Sequence, residues 1–307
     1  MLDRSGEAVF AAVLRAHSLR ATISSSASYC DRWHDPEPAT DHGTFHLIDR
    51  GVCWVQAPVL ERPLRLEAGD LVMFPHGAAH AMCSAPDGRE SPGDPRYSTM
   101  LCGEFEFSGR RNPLLEALPQ CLVVRERDSA MQFRRLAQLM SQEAQSGVFA
   151  SRVVLDKLAD ALFVMAVRHH LEHASERRGL LAALLDPRLA RVLAGIHTQP
   201  GRDWTVATLA QLAHLSRTAF AQHFSAVLGT GPIEYLTGFR MEEAARRLAD
   251  PRCSVAACAE ELGYRTEAAF RRAFKRVHGY GPGRLRRRAA LAHAAADVAA
   301  ETASVRP

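Results

Sequence analysis

The C-terminal third of the chain repeats itself at a spacing of fifty residues. Ser216, Phe220, Phe224, Gly229, Gly231 and Pro232 recur as Thr266, Phe270, Phe274, Gly279, Gly281 and Pro282, each pair fifty positions apart. Periodicity of this length means a supersecondary unit built twice. In the first copy Asp203 or Thr205 can cap a helix running through Ala213. His214-Leu215 makes a short turn, and Ser216 caps a second helix through Val227. In the second copy Ser254 caps a helix through Leu262, Gly263 turns, and Thr266 caps a helix through Val277. Two short helices joined by a tight turn form a helix-turn-helix, whose second helix enters the DNA major groove.

Helical spacing assigns the faces. Phe220 and Phe224 are four apart and share the core side, which turns Thr218, Ala221 and Gln222 outward. In the second copy Phe270 and Phe274 face inward, and Ala268, Arg271 and Arg272 face outward. Gln222 can bond an adenine edge, and Arg271 or Arg272 can bond guanine bidentately. Arg217, Arg265, Lys275 and Arg276 sit at helix flanks suited to phosphate contacts, and the helix N-termini at Ser216 and Thr266 attract phosphate through their dipoles. Between the copies, Ile233 to Leu248 reads as an amphipathic linker helix that fixes one reading helix relative to the other. An offset of about one DNA turn, roughly 34 Å, would let one protomer touch two successive major grooves. Charge agrees: residues 186–290 hold 17 Arg and Lys against 9 Asp and Glu, within a chain of net +4. A basic segment on a mildly acidic remainder points to a polyanion partner at one end only.

Residues 186–288 resemble the DNA-binding domain of AraC/XylS-type bacterial transcription regulators. The resemblance is carried by Leu209-Ala210, Leu215-Ser216-Arg217, Phe220, Phe224, Gly229, Pro232, Arg240, Ala244 and Leu248 in the first half. It continues through Val255, Ala259, Leu262-Gly263-Tyr264, Phe270, Phe274, Lys275, Gly279, Pro282 and Arg286. It implies sequence-specific binding to double-stranded promoter DNA and control of transcription, often as an activator that contacts RNA polymerase. Arg265-Thr266-Glu267 departs from the Ser/Asp-rich stretch common in the family, and Glu267 near the groove could repel phosphate or accept from cytosine.

The N-terminal half has another texture. Phe45–Val55, a strand pair around Arg65 and Val72, and Ser98–Phe107 read as β-structure, with loop signals at Pro86-Asp87-Gly88 and Ser91-Pro92-Gly93-Asp94. From Asp128 to His173 the period turns helical. One stripe holds Phe133, Leu136, Leu139 and Met140; another holds Leu155, Leu158, Ala159, Leu162, Phe163, Met165 and Ala166. These helices pack on the β domain or form a homodimer face. Asp186-Pro187 opens a capped helix after a polar linker, His173–Arg178. The expected organisation is therefore α+β: a β domain over 1–127, a helical dimerisation segment and linker over 128–178, an all-α domain of two helix-turn-helix units over 186–290, and a flexible tail over 291–307.

Gly69-Asp70-Leu71-Val72-Met73-Phe74-Pro75-His76-Gly77-Ala78-Ala79-His80 is similar to the second motif of cupin β-barrels. The first cupin motif is poorly kept: His46 stands at one ligand position and Thr44 where a second histidine is expected. This resemblance implies a cupin-like sensor barrel for a small-molecule effector. His46 and His80 are the candidate ligands of a divalent metal, with His76 or His42 beside them; imidazoles suit Zn, Cu, Fe or Ni. No cofactor beyond that metal is implied. The N-terminal arrangement also resembles a subgroup that includes reactive-chlorine-responsive regulators, which makes Cys102 a candidate redox thiol with Cys30 as its partner and an oxidant as the effector. The seven cysteines contain no C-x-x-C pair, so neither a disulfide framework nor a structural zinc site is expected.

No membrane span and no signal peptide stand out, so the chain reads as a cytoplasmic protein. It holds no Ser/His/Asp or paired-carboxylate pattern and reads as a non-enzyme. The alternative is a metal-dependent cupin enzyme carrying a basic nucleic-acid-binding appendage.

Overall fold

The computed structural model describes residues 4–17, 19–30, 32–86, 97–107, 112–173, 179–250, 252–285 and 287. The loop signals after Pro86, most of the polar linker, Arg286 and the expected tail lie outside the described residues. The chain divides into two compact units, one spanning Ser18–Ser108 and Pro113–Arg177, the other Met1–His17, Gly109–Asn112 and Arg178–Pro307.

The first unit contains two antiparallel sheets. One runs β1 (Arg20–Tyr29), β8 (Ser98–Glu106), β3 (Gly43–Arg50), β6 (Leu71–Phe74), β9 (Leu122–Val124). The other runs β2 (His34–Glu37), β7 (His80–Cys83), β4 (Val52–Gln56), β5 (Leu64–Glu67). The run expected as one strand over 45–55 is broken at Gly51, whose φ of 79° turns the chain from β3 into β4 in the other sheet. The strands around Arg65 and Val72 do not pair with each other, because β5 joins β4 and β6 joins β3. Alternation along each strand sorts the side chains. Ile48, Val72, Phe74, Met100 and Cys102 meet Cys53, Val55, Leu66 and Met82 in one apolar interior.

Small residues make room on the opposite face of the larger sheet. A Cβ at Gly43 would overlap the Phe105 ring, and one at Gly103 would overlap the Phe45 ring. Phe105 and Phe107 pack in turn on Phe163, at centroid distances of 4.8 and 5.4 Å. Phe163 belongs to α4 (Ser151–His173), which follows α3 (Met131–Ser146). The buried stripe of α3 is Phe133, Ala137 and Met140, while Leu139, expected on that stripe, is exposed. On α4 the stripe runs Leu155, Ala159, Leu162, Phe163, Ala166, Val167 and Leu171, with Leu158 and Met165 half-buried beside it. Asp160 and Asp156 on α4 accept the backbone N–H groups of Ala21 and Ile23, at 2.8 and 3.2 Å. Those bonds satisfy donors on β1, which ends the sheet and would otherwise present an open edge.

The second unit is helical. α5 (Gly179–Leu185) and α6 (Pro187–Thr198) precede α7 (Val206–Leu212), α8 (Arg217–Leu228), α9 (Pro232–Leu248), α10 (Val255–Glu261) and α11 (Glu267–His278). The chain's first helix, α1 (Arg4–His17), packs here too, against α5, α6 and α9, with Val9 and Val13 fully buried. The expectation that residues 1–127 form one β domain therefore misses α1, and it also misses the short α2 (Pro113–Ala117). Asp186 caps α6 by accepting from the Arg188 N–H, with Pro187 in the first turn as expected.

Truncating Phe163 to Ala removes the ring that Phe105 and Phe107 pack against. Cavity formation should cost the barrel unit about 3–5 kcal/mol, read as a lowered urea midpoint in tryptophan fluorescence.

Candidate nucleic-acid interface

Each reading helix is fixed by the same local chemistry. Ser216 accepts from the Ala219 N–H and Thr266 from the Ala269 N–H, at 3.3 and 3.2 Å. Gly229 and Gly279 close the helices in the left-handed region, at φ 72° and 79°. Both hydroxyls are thereby engaged as caps, so the anion attraction at these ends comes from the free backbone N–H groups and not from the side chains.

The fifty-residue spacing holds for these second helices but not for the first ones. α7 is capped by Thr205 and α10 by Ser254, forty-nine positions apart. The extra residue lies in the turn. In the first copy His214 takes the positive φ, 53°, whereas in the second Gly263 takes it, at 78°. Arg265 is the added position before the cap, and it is exposed.

Phe220, Phe224, Phe270 and Phe274 are all fully buried. Opposite them Thr218, Gln222, Ala268, Arg271 and Arg272 are exposed and Ala221 is half-buried. Arg217, Arg265, Lys275 and Arg276 are also exposed. Arg271 is not a free cation: its Nε donates to the Glu267 carboxylate at 2.6 Å, one helical turn back. Glu267, whose role the sequence left open, thus holds the Arg271 side chain on α11.

Several other arginines that contribute to the basic charge are engaged internally. Glu243 accepts from Arg246 and Arg247, and Arg247 also pairs with Glu261 on α10. These two guanidiniums hold Glu243 below the usual carboxylate range against the opposing effect of burial. Arg188 and Arg252 pair with Asp186 and Asp250. His223 on α8 reaches Asp186 at 2.5 Å, tying the flank of the first reading helix to the start of α6.

In the barrel, His46 and His80 meet directly, Nε2 to Nε2 at 2.7 Å. The hydrogen-bond directions follow from the ends of the chain. The Ala78 carbonyl, 2.8 Å from His80 Nδ1, can only accept, so that nitrogen carries the proton. His80 Nε2 then accepts from His46 Nε2–H, and His46 Nδ1 accepts from the Cys102 thiol at 3.2 Å. Burial lowers the pKa of both histidines, and it pushes the Cys102 thiol up to about 12. All three groups are held neutral.

That geometry does not fit the expected metal centre. Two imidazole nitrogens at hydrogen-bonding distance point at each other and not at a shared ion. His42 turns instead to Asp41 and Glu104, and His76 is exposed and bonded to the Leu118 carbonyl. Among the described residues no group of three or more His, Cys, Asp or Glu is arranged to hold a metal ion. Nor does the fold bring Cys30 to Cys102. Cys102 pairs with Ser25, whereas Cys30 follows Tyr29, which pairs with Ser98. Five residues of strand separate them, roughly 16 Å, far beyond disulfide reach.

Beside His80 opens a cavity of about 620 Å³, lined by Pro36, Glu37, Gln56, Leu60 and Arg62 among others. Burial, then Asp35 and Glu104, raise the pKa of Glu37. The sequence reading passed over Glu37 because Pro36 disguises its short strand, and proline within a run argues against sheet.

Known proteins resemble both parts of the chain. Residues 8–172 match the family described as Cupin, and residues 209–288 match the Helix-turn-helix domain family. An AraC-like transcription regulator of Streptomyces lividans is 32% identical over 295 residues, covering 90% of this chain and 96% of that protein. The RCS-specific HTH-type transcriptional activator RclR of Escherichia coli K12 is 28% identical over 281 residues, covering 90% of this chain and 96% of its own. The crystal structure of the DNA-binding domain of AdpA in complex with a target DNA is 32% identical, with a TM-score of 0.31, over 32% of this chain and 87% of that one.

The neutral histidine pair makes the barrel acid-sensitive. Unfolded histidines titrate near pH 6.5, while the folded pair stays neutral to lower pH, so below about 6.5 the unfolded state binds more protons. Barrel stability should fall between pH 7.5 and 5.5, by at most about 1.4 kcal/mol per pH unit for each group. Urea titrations at both pH values would show it, and His46→Asn should flatten the slope. With two helix-turn-helix units behind a cupin domain, the chain belongs to the AraC-like family of DNA-binding transcription regulators.

Proposed function

We propose that one protomer places α8 and α11 in successive major grooves of a promoter, and that a small effector in the barrel cavity sets how often it does so. The observation that carries this reading is the repeated capped helix, which turns equivalent faces outward: Thr218, Ala221 and Gln222 in one copy, Ala268, Arg271 and Arg272 in the other. Gln222 and Arg272 read base edges, and Arg271 does so once released from Glu267. Arg217, Arg265, Lys275 and Arg276 bind phosphate, joined by the helix N-termini at Ser216 and Thr266.

The effector lies in the cavity beside Glu37 and His80. An oxidant acting at Cys102 is disfavoured by the depth and the raised pKa of that thiol. The effector acts only through unequal affinity for the DNA-competent and incompetent states. A second copy of the chain covers Val153 and Val154, which α4 leaves exposed, and the DNA-bound dimer contacts RNA polymerase in the cytoplasm. Among the described residues no helix is long and apolar enough to cross a membrane.

Selection of sites from a random DNA library by the full chain, followed by salt titration, tests the assignment. Gln222→Ala and Arg272→Ala should each cost about 1–3 kcal/mol at particular base positions. Arg217→Ala and Lys275→Ala should weaken all sequences alike and lower the salt slope by about one. Equal loss on random and selected DNA from all four variants would sink the groove assignment.

Glu267→Gln removes a carboxylate from the groove face and frees Arg271. Affinity for any duplex should rise several-fold at low salt, as measured by fluorescence anisotropy, and the gain should shrink as salt increases.

A further inference from the structure

Arg240 stands at the middle of the linker helix α9, with one helix-turn-helix unit on either side in sequence. Its Nε donates to the Pro200 carbonyl at 2.6 Å, and its second guanidinium nitrogen donates to the Arg202 carbonyl at 2.8 Å. Both carbonyls belong to the loop that leads into α7. Over the same guanidinium lies the Tyr264 ring, at 5.7 Å to its centroid, in the turn between α10 and α11. Tyr264 packs edge-on against Phe270 of α11, at 5.5 Å. The side chain therefore touches the entry of the first unit and the turn of the second.

The two loops also meet without side chains. A Cβ on Gly201 would overlap the Glu261 carbonyl oxygen, and a Cβ on Gly263 would overlap the Gly201 carbonyl oxygen. Backbone lies directly on backbone, which only glycine permits. Gly263 also needs its positive φ for the turn itself. α9 alone fixes the two units through its length and helical phase, but a helix end can pivot. The Gly201–Gly263 contact is a second point of attachment, and two points resist rotation where one does not.

We infer that Arg240, clamped on the Gly201–Gly263 contact, is a positioning residue that sets the spacing between the two DNA half-sites. It touches no base and no phosphate in this scheme. Removing it should leave each reading helix intact and loosen only their mutual offset. Lysine cannot replace it, because a single ammonium lacks the planar fork that spans two carbonyls and stacks on tyrosine. The inference rests on the two-groove reading.

The test uses the full chain and a duplex it selects from random DNA. Probes carry the selected sequence, the same sequence with one or two base pairs inserted or deleted between the half-sites, and single half-sites with the other half scrambled. Wild type should bind the selected spacing at least tenfold more tightly than the altered spacings. Arg240→Ala, Arg240→Lys and Gly201→Ala should keep half-site affinity within about twofold and shrink the spacing preference to about threefold or less.

A wild-type chain that selects only a single half-site would overturn the two-groove reading and this inference with it. A sharp wild-type preference that the variants retain would overturn the clamp alone, as would equal losses on half-site and full-site probes. Should Arg240→Ala fail to fold, Gly201→Ala decides, since it disturbs the same contact from the other side.

Discussion

Four buried phenylalanine rings fix the rotation of the two repeated helices. Phe220 and Phe224 lock α8, and Phe270 and Phe274 lock α11. Burying a ring of this kind stabilises by about 1.5–3 kcal/mol relative to leaving it exposed. A helix with two such anchors one turn apart cannot rotate about its axis without withdrawing both. The outward residues follow from that constraint and need no stabilising contacts of their own. Positions 218, 222, 268, 271 and 272 are exposed and lie outside that packing.

Charge is distributed with the same economy. The basic excess of the helical unit is not shared by every arginine, because Arg188, Arg246, Arg247 and Arg252 already pair with carboxylates. The pairs at Glu243 tie α9 to itself and, through Arg247, to α10. Those arginines position helices. Arg217, Arg265, Arg272, Lys275 and Arg276 are exposed. Glu267 adds one more internal pair, accepting from Arg271 one turn along α11.

The helical unit was largely legible in the sequence because its signals are local. Hydroxyl caps, glycine stops and phenylalanines four apart each act within one or two turns, so their spacing survives translation into structure. What escaped depended on contacts between distant positions. Nothing in the sequence near Arg240 announces that Pro200, Arg202 and Tyr264 surround it. The one-residue slip between first helices was hidden because the matching residues all lie after the turn. α1 was missed because its partners, α5, α6 and α9, come more than 160 residues later. In the barrel, the cupin-like motif led to His80 and the broken first motif to His46, yet their mutual hydrogen bond could not be read from either.

The barrel floor illustrates how similar residues can serve a different end. A cupin that holds metal needs imidazole lone pairs converging on an empty point. Here Thr44 stands where a further histidine would be required, and its buried hydroxyl has no hydrogen-bond partner among the described residues. Without a third ligand, two neutral imidazoles are better satisfied by each other than by an ion whose charge burial would penalise. The Cys102 thiol closes the chain of donors at one end and the Ala78 carbonyl closes it at the other. In such a chain all four imidazole nitrogens are engaged. In the cavity beside His80, Glu37 and Gln56 supply polar groups and Pro36 and Leu60 apolar surface. Of the two histidines, His80 lines the cavity.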